Sequence, residues 1–130
     1  MSKQTLTDMF SALVEQCASG EAGREALKMY NHTVQFTPLD GEPFHFIAKE
    51  GQAWVRNGVM PDSPLPDAHE IKADSQVFRE WFSGQERMSD LIEHGCMFPV
   101  ASHTTKRHID HWLAKIVRLG SGLKIPKEVF

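Results

Sequence analysis

Apolar residues near the start of the chain recur every three to four positions. They run from Leu6 to Cys17 on the spacing of one helical face, with Thr5 in a capping position and Gly20 as a stop signal. Compatible spacing over residues 21–30 predicts a second, shorter helix after a tight corner. The chain is therefore expected to begin with two consecutive helices.

The hydrophobic period then changes to two, which is typical of strands with one buried face. Val34 and Phe36 alternate with polar neighbours, and the alternation resumes at Phe44, Phe46 and Ala48. An Asp-Gly pair between the two stretches is a turn signal. The pattern predicts two strands joined as a hairpin.

Three more strands are expected further along the chain. The sequence predicts them over residues 51–57, 68–73 and 96–101, and Pro99 in the last of them favours a sheet edge. Residues 59–67 contain three prolines and little periodicity, so they predict a stiff loop.

Helical spacing returns in the second half of the chain. It predicts a helix over residues 75–83, a short helix over residues 88–94, and a long amphipathic helix that begins near His103 or Thr104 and ends at Gly120. Helices placed before, between and after the strands predict an α+β fold, with a five-stranded, mainly antiparallel sheet covered by helices.

Length and composition set the broad class of the protein. The chain has 130 residues, which suits one domain over residues 1–130, with its core in residues 6–120 and a tail in residues 121–130. The hydrophobic fraction of 41% is enough to form a stable core. The formal net charge of -3 argues against the basic stripe that nucleic-acid binding requires, so we expect no nucleic-acid partner.

Targeting signals and cysteine motifs are missing from the sequence. No apolar run reaches the roughly 20 residues of a membrane span, and the first residues do not read as a signal peptide. We therefore expect no transmembrane segment and a cytoplasmic location. Cys17 and Cys96 have no CxxC spacing, and we expect both to be reduced, buried thiols.

Four stretches, taken with the order of the elements, resemble the sterol-carrier-protein-2-like (SCP2-like) lipid-binding domain. A strand leads into a helix cap at residues 71–75, and a glycine closes an apolar helix at residues 77–84. Another glycine precedes a strand at residues 95–100, and an amphipathic helix covers residues 109–117. The resemblance is a pattern of apolar and glycine positions over residues 6–120.

This resemblance implies a sheet covered by helices, with a cavity between them that accepts sterols, fatty acids, acyl-CoA or phospholipids. Members of the family are carriers or binders and not catalysts, so the resemblance implies a hydrophobic small-molecule ligand and no cofactor. The chain ends in Val129 and Phe130 and lacks the peroxisomal signal that some members carry. A bacterial cytoplasmic protein fits these features.

Large apolar side chains supply the candidate ligand site. If a cavity exists, we expect it where the sheet meets the helices, because apolar pockets form between layers. Methionine and aromatic side chains are numerous for a domain of this size, although they also serve to fill a core. The residues expected to line the cavity are Phe44, Phe46, Val55, Phe78, Phe82, Leu91, Ile92, Trp112 and Ile116.

Histidines near the start of the last helix are a second candidate site. His103, His108 and His111 fall on its polar first turns, and the last two are three positions apart. A metal ion bound there would need a further ligand such as His94 or Glu93. A solvated helix face is the simpler interpretation, and we expect no metal site.

Other functions remain open at this level. Lys106 and Arg107 at the start of the last helix could meet an anionic head group. We find no nucleophile elbow, phosphate loop or HExxH motif and expect no catalytic residues. The alternatives are a small enzyme with an Asp or His at the mouth of an apolar cavity, and an interaction module that presents the apolar stripe of residues 109–117. The oligomeric state is unknown.

Overall fold

Helices and strands follow the predicted order in the computed structural model, which describes residues 5–30, 33–59, 69–100 and 106–121. Of residues 69, 99–100 and 106–111 it describes the backbone alone. The helices are α1 (Leu6–Ala18), α2 (Glu21–Tyr30), α3 (Ser75–Phe82), α4 (Met88–Glu93) and α5 (Lys106–Gly120). The strands are β1 (Thr33–Pro38), β2 (Phe44–Lys49), β3 (Gln52–Asn57), β4 (His69–Ala73) and β5 (Met97–Val100).

The five strands form one sheet in the order β3-β2-β1-β4-β5. The pairings β1–β2, β2–β3 and β4–β5 are antiparallel, and β1–β4 is parallel. The expected five-stranded, mainly antiparallel sheet is confirmed. Pro99 lies in β5, an edge strand, where the missing N–H of proline does not interrupt the sheet.

Strand register separates the two faces of the sheet. On β2, Phe44 and Phe46 lie on the face covered by helices, while Ile47 lies on the opposite face and pairs with Trp54 of β3. Successive strand residues alternate between faces, so the two-residue period of the sequence assigns each aromatic residue to its side. Trp54 is partly exposed, whereas Phe44 and Phe46 are buried.

The helices form a second layer over the inner face. Helix α5 packs against α1, α2 and α3, and α2 also contacts β2 and β3. The described part of the apolar stripe on α5 is buried in these contacts, including Leu113, Ile116 and Val117. Gly120 lies so close to α1 that an added Cβ atom would overlap the carbonyl oxygen of Leu13.

The N-terminus of α3 is capped from another part of the chain. The sequence predicts Asp74 or Ser75 as the cap, and Asp74 does occupy the N-cap position, but its side chain makes no capping hydrogen bond. Instead, Asp40 in the β1–β2 turn accepts a hydrogen bond from the Ser75 N–H at 2.8 Å. This hydrogen bond lowers the pKa of the Asp40 carboxyl.

The two cysteines differ in environment. Cys17 is buried on α1, and burial raises the pKa of its thiol to about 11. Cys96 is exposed, so the expectation of a second buried thiol is wrong. It lies between Gly95 and β5, at a helix-to-strand turn that leaves its side chain in solvent.

Two predicted features lie outside the described residues. These are the proline-rich loop, apart from Val59, and the start of the last helix near His103 or Thr104. Among the residues that are described, no helix is long and apolar enough to cross a membrane.

Gly120→Ala should destabilise the protein because the new methyl group would overlap the backbone of α1. Overpacking of this kind costs about 1–3 kcal/mol. The matched control is Gly20→Ala, since nothing lies within 4 Å of a Cβ atom at that position. Urea denaturation measures both free energies of unfolding. Equal stability of the two variants would contradict the close approach of α5 to α1.

Asp40→Ala should lower the urea midpoint at pH 7 more than Asp74→Ala does, because Asp40 makes the capping bond to α3 and Asp74 does not. The folded pKa of Asp40 lies below its unfolded value of about 3.9. The stabilisation is therefore fully present above that pH and is lost as the pH falls through the folded pKa. The difference between wild type and Asp40→Ala should shrink on acidification, and a difference independent of pH would contradict the assignment.

Candidate ligand site

Six phenylalanine rings fill the space between the sheet and the helices. They come from α1, β1, β2 and α3, and we call them the ring cluster: Phe10, Phe36, Phe44, Phe46, Phe78 and Phe82. All six side chains are buried. Strand β2 contributes two rings from positions two apart, and α3 contributes two from positions four apart, which are the spacings that keep side chains on one face.

Phe10 of α1 is in ring contact with four other members of this cluster. Its ring centroid lies 4.8 Å from that of Phe36, 5.1 Å from Phe46 and 4.9 Å from Phe82. The interplanar angles of 52–68° are tilted or edge-on geometries, which aromatic pairs prefer over face-to-face contact. One residue of α1 thus contacts two strands and α3.

Two rings of α3 pack against rings of β1 and β2. Phe78 and Phe82 are 5.7 Å apart, and both contact Phe36 and Phe44. Phe36 and Phe44 are stacked at 4.9 Å across the β1–β2 pair. In this structure the rings contact one another, so the space between them is occupied by side chains.

The structure places the nine residues expected to line a cavity in the hydrophobic core or packed against it. Six are buried: Phe44, Phe46, Phe78, Phe82, Leu91 and Ile116. Three are half-buried and pack against the core: Val55, Ile92 and Trp112. Four of the nine belong to the ring cluster. That they line a ligand cavity stays a prediction.

A surface cleft of about 630 Å³ opens at one end of the ring cluster. It lies where the N-termini of α1 and α3 meet the β1–β2 turn and the end of β3. Its lining residues, which we call the cleft, are Thr5, Leu6, Thr7, Pro38, Gly41, Glu42, Pro43, Phe44, Asn57, Gly58, Ser75 and Arg79. Phe44 belongs to both the cleft and the ring cluster, so it connects the surface to the interior.

Polar contacts hold the walls of the cleft in place. Thr7 donates a hydrogen bond to the side-chain oxygen of Asn57 at 2.6 Å, which joins α1 to β3. The carbonyl oxygen of Gly58 accepts from Nδ1 of the buried His45 at 2.9 Å, and the Gly58 N–H donates to Pro43. These bonds fix the end of β3 against β2.

Arg79 is the positively charged side chain among the cleft residues. It is half-buried on α3, one position beyond Phe78, and one N–H of its guanidinium donates to the sulfur of Met9 at 3.2 Å. Glu42 is the acidic side chain of the cleft, and it is exposed. The residues that line the cleft therefore include a half-buried cation and an exposed acid.

A polar cluster occupies the opposite face of the sheet. Gln35 donates to Glu70 at 3.1 Å, and Thr37 donates to the same carboxylate oxygen at 2.6 Å. Lys72 lies 3.9 Å from the other oxygen of Glu70. These contacts pair the polar side chains of β1 with those of β4 on this face of the sheet. The ring cluster lies on the opposite face, which the helices cover.

The predicted histidine site lies largely beyond what the structure describes. His103 and the side chains of His108 and His111 are outside the described residues, as are those of Lys106 and Arg107. Among described side chains, no group of three histidines, cysteines or acidic residues is placed to hold a metal ion. Glu93 and His94, named as further ligands, are exposed at the end of α4.

The nine residues that the sequence predicts for the cavity include neither Phe10 nor Phe36, and they include only Phe44 from the cleft. Phe10 lies on the apolar stripe of α1, so its burial was predictable, but nothing in the stripe indicates that it faces β1 and β2. Arg79 and Asn57 carry no sequence signal, because the cleft is assembled from segments far apart along the chain. Only the register of the sheet brings these segments together.

Comparison with known proteins gives matches by structure and none by sequence. No family model matches the chain, and no curated protein matches it significantly. A solved structure of UbiJ-SCP2, a ubiquinone synthesis protein, superposes with a TM-score of 0.66 at 13% identity, covering 88% of this chain and 94% of that one.

Two sterol carrier structures are also similar to this chain. Sterol carrier protein domain 2 of Helicoverpa armigera gives a TM-score of 0.65 at 14% identity, covering 92% of this chain and 89% of that one. The apo form of sterol carrier protein 2 from Yarrowia lipolytica gives 0.59 at 12% identity, covering 95% and 98%. The SCP2-like resemblance indicated by the sequence is thereby confirmed for the fold, and the chain is an α+β domain with the fold of the sterol carrier protein 2 structures.

Proposed function

We propose that the chain binds a lipid-like hydrophobic molecule between its sheet and its helices and carries it without chemical conversion. The ligand class is a sterol, a fatty acid, an acyl-CoA or a phospholipid. The observation that carries the proposal is that Phe44 both lines the surface cleft and contacts the rings of the cluster. An opening onto an apolar interior is what a lipid carrier requires.

The structural neighbours support the same class of ligand. Among five of the similar structures, four are named as sterol carrier proteins or as a possible one, and one as an SCP2 protein of ubiquinone synthesis. They share the fold of this chain at 12–14% identity. These names refer to sterol carriage and to ubiquinone synthesis, so we keep the ligand class broad.

Binding requires that rings of the cluster separate, since they contact one another in this structure. An aromatic pair contributes about 0.5–1.5 kcal/mol beyond its buried area. Burial of one methylene contributes about 0.8 kcal/mol, so an acyl chain of about ten methylenes supplies about 8 kcal/mol. That is enough to replace several ring contacts, and the ligand supplies new apolar contacts to the same rings.

The two alternative functions receive less support from the described residues. An interaction module built on the stripe of α5 would leave Leu113 and Ile116 exposed, and both are buried. An enzyme would place a carboxyl or imidazole group with a shifted pKa in a pocket. The shifted carboxyl of Asp40 is exposed, and its hydrogen bond to Ser75 accounts for the lowered pKa.

Purified protein should carry or accept one lipid molecule. Native mass spectrometry before and after solvent extraction measures the added mass directly, and a mixture of fatty acids, sterols and phospholipids offered to the extracted protein identifies the class it retains. Failure of the folded protein to bind any member of that mixture would contradict the proposal.

A brominated fatty acid should quench Trp81 and leave Trp54 unaffected, because bromine quenches tryptophan only at short range. Trp81 is buried beside Phe82, with ring centroids 5.3 Å apart, and Trp54 lies on the opposite face of the sheet. The experiment uses two double variants. Trp54→Phe with Trp112→Phe retains Trp81, and Trp81→Phe with Trp112→Phe retains Trp54.

The first of these variants should lose most of its fluorescence on titration, and the second should change little. The non-brominated acid is the control for quenching by conformational change. Quenching of Trp54 with Trp81 unaffected would place the ligand on the wrong side of the sheet.

A further inference from the structure

We propose that the outer edge of β3 is a dimer interface, at which two copies of the chain pair their β3 strands antiparallel about Val55. The observation that carries the proposal is the position of β3 at one end of the sheet, with a row of backbone groups that faces away from β2. Such an edge is a template for a further strand unless the protein blocks it. The interface is independent of the proposed lipid binding.

The two edges of the sheet differ in their protection against pairing. β5 has four residues and contains Pro99, and a short edge strand with a proline is poorly suited to a further strand. β3 has six residues and no proline, and its Trp54 is 37% exposed. Among the described residues, β2 is the one strand that pairs with β3. The edge open to another strand is therefore that of β3.

The hairpin between β2 and β3 determines which backbone groups point outward. Glu50 and Gly51 form its two-residue turn, and both have positive φ, at 53° and 83°. In a hairpin of this kind the flanking pair, here Lys49 and Gln52, is hydrogen-bonded. Hydrogen-bonded pairs then alternate with non-hydrogen-bonded pairs along the two strands. Every second residue of β3 from Gln52 onward therefore bonds to β2.

The residues between them direct their N–H and C=O groups away from the sheet. They are Ala53, Val55 and Asn57. The Gly58 N–H donates to Pro43 of the preceding turn at 2.9 Å, as this alternation requires. The outer edge of β3 therefore offers three residues for hydrogen bonding to another strand.

Antiparallel pairing about Val55 uses all three of these residues. Val55 then lies opposite Val55 of the second copy, and Ala53 lies opposite Asn57. Each of the three pairs exchanges two hydrogen bonds. The arrangement has the two-fold symmetry that is commonest among homodimers. A register shifted by one pair toward the hairpin would leave Asn57 opposite the turn of the second copy.

The side chains of β3 complement one another in the same register. Trp54 lies opposite Arg56 of the second copy, twice in the dimer, and both side chains are exposed in the single chain. These are non-hydrogen-bonded pairs, in which opposed side chains are closest. A guanidinium over an indole ring is a favourable cation–π contact. Pairing of β3 with a second copy therefore satisfies its side chains as well as its backbone.

The strength of the dimer is measured by analytical ultracentrifugation of the full chain over a concentration series. The interface is small, so wild type should be a dimer that dissociates on dilution. Val55→Pro should be monomeric, because it removes the central outward N–H and no hydrogen bond to β2. Arg56→Ala should weaken the dimer about fivefold or more, since two cation–π contacts are lost. Lys49→Ala, the matched control, removes an exposed cation outside the paired residues and should have no effect.

The register is tested by disulfide crosslinking in a Cys96→Ser background, since Cys96 is exposed and Cys17 is buried. Opposed hydrogen-bonded residues have Cα atoms about 5.5 Å apart, which a disulfide can span. Val55→Cys should therefore form a covalent dimer on mild oxidation. Gln52→Cys should not, because Gln52 lies opposite Gly58 of the second copy.

Folding of each variant is checked by circular dichroism and by its urea midpoint. Should Val55→Pro not fold, Arg56→Ala and the two crosslinking variants decide the outcome. A wild type that is monomeric at every concentration would overturn this inference. So would a dimer that Arg56→Ala leaves as strong as Lys49→Ala does, or crosslinking of Gln52→Cys to the same extent as Val55→Cys. None of these results bears on the proposed lipid binding.

Discussion

Contact between Phe10 of α1 and the rings of β1 and β2 is the interaction on which the two layers depend. Its side chain is fully buried, and it touches Phe36, Phe44 and Phe46 on the sheet as well as Phe82 on α3. Loss of a buried phenylalanine ring typically costs about 3–5 kcal/mol. Because the total stability of a domain is about 5–15 kcal/mol, loss of the Phe10 ring would remove a large share of it.

The side chains that stabilise the fold are also those assigned to the proposed ligand site. The rings that join the layers also occupy the region where a hydrophobic ligand is proposed to lie, so ligand contacts and ring contacts compete. Phenylalanine rings suit both roles, because they bury a large area and have no polar group that would require a partner on separation. In this structure all six rings of the cluster are buried.

Much of the fold was predictable from local patterns, because each element depends on its own periodicity. The stripe from Leu6 to Cys17 and the alternation at Phe44 and Phe46 identify α1 and β2, and Pro99 indicates an edge strand. The parallel β1–β4 pairing and the capping of α3 by Asp40 depend on contacts between distant segments. No local pattern encodes them.

The candidate site, like the fold, has one part that the sequence predicts and one part that it does not. Hydrophobic residues expected to face the interior are buried or half-buried there, since burial follows from period and amphipathicity. The cleft is different, because Thr7, Asn57 and Arg79 become neighbours only through the register of β2 with β3 and the position of α3. Its polar residues are ordinary surface types in the sequence, and their arrangement is a product of the fold.

The most direct test of the account is a crystal structure of the protein saturated with a long-chain fatty acid at confirmed one-to-one stoichiometry. If the ligand binds between the layers, elongated density lies between the sheet and the helices, and the rings of Phe44, Phe78 and Phe82 move apart around it. An unchanged ring cluster, with the ligand bound elsewhere on the surface, would contradict it.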